Sequence, residues 1–213
     1  MATYLHFAPA LALAAAIGPQ RIGWRLALAG AVCGVLPDAD VLVPLLGLDS
    51  LDGTYGHRGF THSLGFALLM GALGACLAGR RALRPLGLVA LYLALCTASH
   101  PVLDGLVDSG FCNAWLWPLD GTRHCLAWRP VPLEGVPQFG LQRLQQELQW
   151  IGLPLLLLAG VGVTVRRVLN GRAGTARPAR ACPAGARSGD RGCTGRRARC
   201  VPCRAAARSS RRA

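Results

Sequence analysis

Residues 55–79 read YGHRGFTHSLGFALLMGALGACLAG. From Phe60 to Gly79 this stretch holds no Asp, Glu, Lys or Arg, and it reaches the roughly 20 apolar residues that carry a helix across a bilayer. Its opening gathers His57, Arg58, Thr61, His62 and Ser63 at the mouth of that helix, with Gly56 and Gly59 free to let the loop fold back. Two imidazoles suit Zn²⁺ or a similar borderline metal, and the guanidinium of Arg58 suits an anionic group. Thr61 or Ser63 is placed to cap the helix. The reading is a membrane helix with a polar rim.

The rest of the chain agrees with a membrane setting. Of its 213 residues 52% are hydrophobic and only 15% charged, with a mean hydropathy of +0.36, too apolar for an ordinary soluble domain. All 23 basic residues are Arg, and 14 of them lie from Arg166 onward against a single acid, Asp190. The preceding part is formally neutral, so the excess of +13 belongs to the end of the chain. A basic surface on a folded body, the mark of nucleic-acid binding, is therefore not expected.

Four more apolar runs are legible, at about 4–17, 22–36, 85–103 and 150–165. The first two fall short of a comfortable span. A segment with Leu141, Leu144 and Leu148 among glutamines reads as an interfacial helix. If all five runs cross, Arg21 and Arg25, then Arg80, Arg81 and Arg84, then Arg166 and Arg167 fall on one side, which the positive-inside rule makes the cytoplasm. The opposite side then receives His6, Asp38, Asp40, His57, His62, His100, Asp104 and His124, which include every histidine of the chain.

Ionisable groups at membrane helix ends mark functional sites. His100 and Asp104 are four apart and share a helix face, although Pro101 between them is expected to kink or restart the helix. Asp38 and Asp40 follow Pro37 in what reads as an extended turn, pointing to opposite sides, so that one binds and one orients. Asp49 and Asp52 read as capping groups. Cys33, Cys76 and Cys96 sit in apolar runs as packing residues, whereas Cys112 and Cys125 flank a polar loop and can pair in an oxidising compartment. Residues 171–213 are Arg, Ala, Gly, Pro and Ser with almost no large apolar side chain, so a disordered tail is expected. Cys200 and Cys203 have CxxC spacing, but ten residues separate Cys182 from Cys193, a poor match to a zinc ribbon.

Leu36-Pro37-Asp38-Ala39-Asp40, Gly56-His57-Arg58-Gly59-Phe60-Thr61-His62-Ser63, Ser99-His100-Pro101-Val102-Leu103-Asp104 and the stretch from Trp117-Pro118 to Pro132 resemble the YdjM-type, LexA-regulated, membrane-bound metal-dependent hydrolases. The resemblance covers about residues 4–165. It implies a multi-pass protein of the bacterial inner membrane with a divalent-metal site on these His and Asp residues. Val41 departs from the family pattern, which often has histidine there, and Pro101 is unusual within its element; His124 is then a candidate substitute ligand.

The expectation is an all-α integral membrane bundle of about five short apolar helices over residues 1–170, followed by the tail at 171–213. The metal set is His6, Asp40, His57, His62, His100 and Asp104, with Zn²⁺ the first choice. Asp38 is the proton acceptor and Arg58 the holder of an anionic group. A Zn²⁺ site lowers the pKa of bound water from about 15.7 to about 7, so the expected reaction is hydrolysis of a phosphoester or lipid-linked substrate, with membrane lipid as partner. The competing expectation is a transporter or assembly factor that uses the same cluster without turnover.

Overall fold

The computed structural model describes residues 4–79, 85–133 and 139–175. The chain divides into two units between Leu169 and Asn170, and every candidate site residue belongs to the first. The tail expected at 171–213 lies, beyond Thr175, outside the described residues.

The fold is mostly helical, in the order α1 (Ala8–Ile17), α2 (Trp24–Val35), α3 (Leu42–Leu45), α4 (Leu64–Ala78), α5 (Leu86–Gly105), α6 (Leu141–Glu147) and α7 (Leu153–Thr175). Two-residue strands β1 (Val107–Asp108) and β2 (Val131–Pro132) pair in parallel. Among the described residues, three helical stretches have the length and apolarity to cross a membrane: Trp24–Leu45, Leu86–Gly105 and Leu141–Gly171.

Four local expectations are corrected. The second run does not stop at Pro37: the chain tightens into a 3-10 helix, Leu36–Val41, and continues into α3. Proline is tolerated in the first turn of a helix because the N–H it lacks has no intrahelical partner there. Asp38 and Asp40 therefore lie on a helical turn, not an extended one. Secondly, α4 begins at Leu64, not Phe60, because Phe60–His62 forms a 3-10 turn and Ser63 is the cap, its Oγ accepting from Phe66 N–H at 3.0 Å. Its 15 residues span roughly 22 Å, less than the hydrocarbon core.

Thirdly, α5 runs unbroken through Pro101. Tertiary contacts hold it there: Asn113 Nδ2 donates to Pro101 O at 2.8 Å, and His100 Nδ1 lies 2.8 Å from Gly34 O. Fourthly, the glutamine-rich segment is not a separate interfacial helix. It joins α7 through a π-helical turn, Leu148–Gly152, and faces the other way: Leu141 is 85% exposed while Arg143 and Glu147 are fully buried. Leucine meets lipid at no cost, whereas the start of α1 needs an acceptor. Glu147 Oε2 supplies it, receiving Tyr4 N–H at 2.8 Å and Leu5 N–H at 3.1 Å.

The apolar core centres on Val89, Tyr92, Leu93 and Cys96 of α5, packed with Ala10 and Ile22. Tyr92 donates its hydroxyl to Ala10 O at 2.9 Å, as a buried phenol requires. Cys33 packs against this core, but Cys76 is exposed, as are Leu68, Leu69, Leu73 and Leu77 of the same helix. Such an apolar outer surface is what a lipid environment solvates. At the end of α1, Arg166 Nη1 donates to Ala15 O at 2.7 Å. The loop after α5 is tied by a Cys112–Cys125 disulfide.

Candidate metal centre

The second run delivers its carboxylates on the 3-10 turn, and Gly34 just before it allows a close approach: a Cβ there would stand 2.6 Å from His6 O. His6 is brought in by the N-terminal segment that Glu147 anchors. His57 and Arg58 arrive on the glycine loop, His62 on the turn that precedes α4, and His100 and Asp104 on one face of the last turns of α5. All these residues are buried except Asp38, whose side chain is 27% exposed and so marks the open edge.

Among the described residues, two groups could hold a metal ion. Asp38, His62, His100 and Asp104 form the first, and Asp40, His57 and His62 the second, each with ligand atoms within 4.8 Å of one another. In the first, Asp38 Oδ1 lies 3.3 Å from His100 Nε2, and Asp104 Oδ2 lies 3.4 Å from His62 Nε2. His6 Nε2 stands 3.4 Å from Asp104 Oδ1, and its ring stacks on His100 at 3.8 Å.

The hydrogen bonds at Nδ1 favour one tautomer of each neutral ring. His100 Nδ1 faces Gly34 O, a pure acceptor, so it carries the proton and leaves a lone pair on Nε2. His62 Nδ1 lies 3.1 Å from Asp40 Oδ2, which likewise places its proton on Nδ1. The two Nε2 atoms then face each other at 3.1 Å. With both rings neutral, two lone pairs at that distance repel, and either a proton shared between them or a metal ion beside them relieves the contact. Charge points the same way, because the buried or half-buried carboxylates of Asp38, Asp40 and Asp104 outnumber the single guanidinium of Arg58. With neutral imidazoles the cluster lacks two positive charges, and isolated charges are costly to bury. Both ring nitrogens of His6 are also buried without a hydrogen bond. The donor set fits a divalent ion.

Asp40 behaves differently from Asp38. It spends its oxygens on ring and loop groups: His57 Nδ1 at 2.9 Å, Thr61 Oγ1 at 2.6 Å and Arg58 N–H at 3.1 Å. Thr61, a candidate cap by sequence, serves Asp40 instead. Arg58 adopts φ +63°, unusual for a side chain with a Cβ. Its amide bond to Asp40 and its carbonyl, which accepts from Ala114 N–H at 3.1 Å, hold it there. Its Nε lies 3.2 Å from Asp104 Oδ2, and its Nη1 donates to Phe111 O at 2.8 Å. The guanidinium thus grips Asp104 as well as facing the site.

His124 does not join the cluster. It is half exposed and lies 3.5 Å from Asp120, whose carboxyl is held below the ordinary aspartate range chiefly by the Thr122 hydroxyl and amide. Sequence reasoning missed four contributors. Gly34 offers its carbonyl, Asn113 ties the loop to α5, and Arg123 donates to His57 O at 2.7 Å and Gly53 O at 2.9 Å. Glu147, bridged to Arg143 Nε at 3.1 Å, holds the segment that bears His6. Only the last left a signal, an opposite-charge pair four apart in a segment otherwise poor in charge.

The model of the YdjM inner membrane protein family matches residues 1–171. Inner membrane protein YbcI of Escherichia coli K12 is 35% identical over 164 residues, which make up 73% of this chain and 93% of that relative. No solved structure matches. With three helices of spanning length among the described residues and this match over residues 1–171, the chain is an inner-membrane protein and belongs to the YdjM inner membrane protein family.

Proposed function

We propose that the protein is a membrane-bound metal-dependent hydrolase acting on a phosphoester or lipid-linked substrate at the outer face of the inner membrane. The observation that carries this reading is the opposed pair of His62 and His100 Nε2 atoms, each with its other nitrogen already committed. Asp38, His62, His100 and Asp104 would hold the ion, with His6 beside Asp104. A divalent ion in that set supplies Lewis acidity at neutral pH.

The chain's own groups supply the rest. Asp40 is the outer carboxylate that orients His57 and His62, an arrangement that fixes ring direction. His57, turned by Asp40, keeps Nε2 without a partner and is the proton acceptor in this reading. That reverses the division expected from sequence, in which Asp40 was ligand and Asp38 base. Arg58 positions Asp104 and offers its remaining donor to an anionic group. The open edge at Asp38 is the side from which substrate and water reach the site.

The test is hydrolysis of p-nitrophenyl phosphate and bis(p-nitrophenyl) phosphate by the purified protein in detergent. Activity abolished by chelation, restored by Zn²⁺ and missing from His100→Ala supports the reading. Turnover unchanged by both chelator and substitution, or a metal-loaded protein that turns over neither probe, contradicts it.

A further inference from the structure

A cavity of about 180 Å³ lies beside the cluster, lined by Val41, Leu51, His57, Arg58, Ser109, Phe111 and Leu133. Three of these residues carry polar atoms with no hydrogen-bond partner: Nε2 of His57, Nη2 of Arg58 and Oγ of Ser109. Arg58 is fully buried and His57 only 4% exposed, whereas Leu51 is 52% and Phe111 44% exposed. The cavity therefore has a polar floor with unused hydrogen-bonding atoms and an apolar rim. Buried donors without partners are rare in folded proteins and call for an occupant. Water would satisfy hydroxyl and imidazole, whereas the remaining guanidinium nitrogen makes its strongest hydrogen bonds to an anionic oxygen.

We infer that this cavity is a binding site for a phosphoryl group carried on an apolar tail. Arg58 Nη2 and Ser109 Oγ donate to the phosphoryl oxygens, and Leu51, Phe111, Val41 and Leu133 contact the first part of the tail. The volume decides how much enters: about 180 Å³ is below the roughly 300–1,000 Å³ of pockets that enclose drug-sized ligands, so a phosphoryl group and a few carbons fit but an acyl chain does not. The chain proper leaves past Leu51 and Phe111 toward the lipid. Binding there sets the phosphoryl group against His57 Nε2. The inference deepens the hydrolase reading and rests on it for the reaction, but not for the binding.

The experiment is a titration of the full-length protein in detergent with inorganic phosphate and with short-chain dihexanoyl phosphatidic acid, followed by ³¹P NMR, alongside the metal content of the same samples. Phosphatidic acid is expected to bind more tightly than phosphate. Ser109→Ala should weaken both about ten-fold, the loss of one hydrogen bond to a charged group. Leu51→Asp, at an exposed position where misfolding is not at issue, should weaken both by placing a like charge at the mouth. Equal affinity for phosphate and phosphatidic acid overturns the tail. Binding indifferent to both substitutions, or an adventitious ion only, overturns the site. Binding kept in protein that holds no metal would sink the hydrolase reading and leave this one standing; metal retained without binding does the reverse.

Discussion

His62 and His100 present their Nε2 atoms to each other across 3.1 Å, while the Nδ1 of each is fixed by an acceptor, Asp40 for one and Gly34 O for the other. This is the relationship from which the metal reading follows. It also ranks the surrounding residues, since whatever holds those two Nδ1 atoms sets the direction of the lone pairs.

Asp40→Asn is therefore expected to weaken metal binding without removing a ligand of the first group. An amide keeps the shape but loses the charge that faces both His57 and His62. Changes to such outer partners typically cost 10–100-fold in metal affinity, to be read by competition with a chromogenic chelator. An affinity equal to that of the parent would mean that Asp40 merely closes the turn.

Glu147→Gln is expected to destabilise the protein strongly, because it leaves the buried Arg143 without its carboxylate and weakens the anchor of Tyr4 and Leu5. Breaking one side of a buried pair costs about 3–5 kcal/mol. Replacing both partners together, as Arg143→Met with Glu147→Met, should not recover that loss, since methionine removes the acceptor of the Tyr4 and Leu5 amides. Thermal unfolding in detergent measures both, and a double variant as stable as the parent contradicts the anchoring role of Glu147.

Thr61→Val should lower stability by about 1–2 kcal/mol, the loss of a hydrogen bond to a charged acceptor, here the 2.6 Å bond to Asp40 Oδ2. Loss of metal affinity is expected to accompany it. A stability unchanged in the same thermal assay would show that Asp40 is satisfied without the hydroxyl.

The sidedness rests on Arg placement and on the Cys112–Cys125 disulfide, which belongs in an oxidising compartment. A single cysteine introduced at position 52 should react with an impermeant thiol reagent in intact cells, and one at position 82 should not. The opposite pattern would put the cluster on the cytoplasmic side.

Much of the site was legible because its residues are costly where they stand. Imidazoles and carboxylates at the ends of apolar runs need a reason, and the charge rule alone brought His6, His57, His62, His100 and Asp104 to one face. The division of labour proposed here for Asp38 and Asp40 was not legible. It depends on the phase of the 3-10 turn after Pro37, which packing of α2 against α5 sets. Nor could the inward face of α6 be read, because an Arg143–Glu147 pair four apart looks like a solvated helix surface until a backbone end from elsewhere in the chain is seen to need the carboxylate. The short α4 obeys the same logic: Phe60 is apolar enough for a helix, but Thr61 and His62 are held by Asp40, so the helix waits for Ser63.

The most direct test of the central claim is metal content. Full-length protein purified without chelator, together with His62→Ala and Asp104→Ala, would be measured by inductively coupled plasma mass spectrometry, with circular dichroism to confirm folding. The account predicts near-stoichiometric divalent metal in the parent and little in either variant, with helicity retained. A folded parent that holds no metal after incubation with Zn²⁺ or Mn²⁺, or variants that keep the full complement, would contradict it.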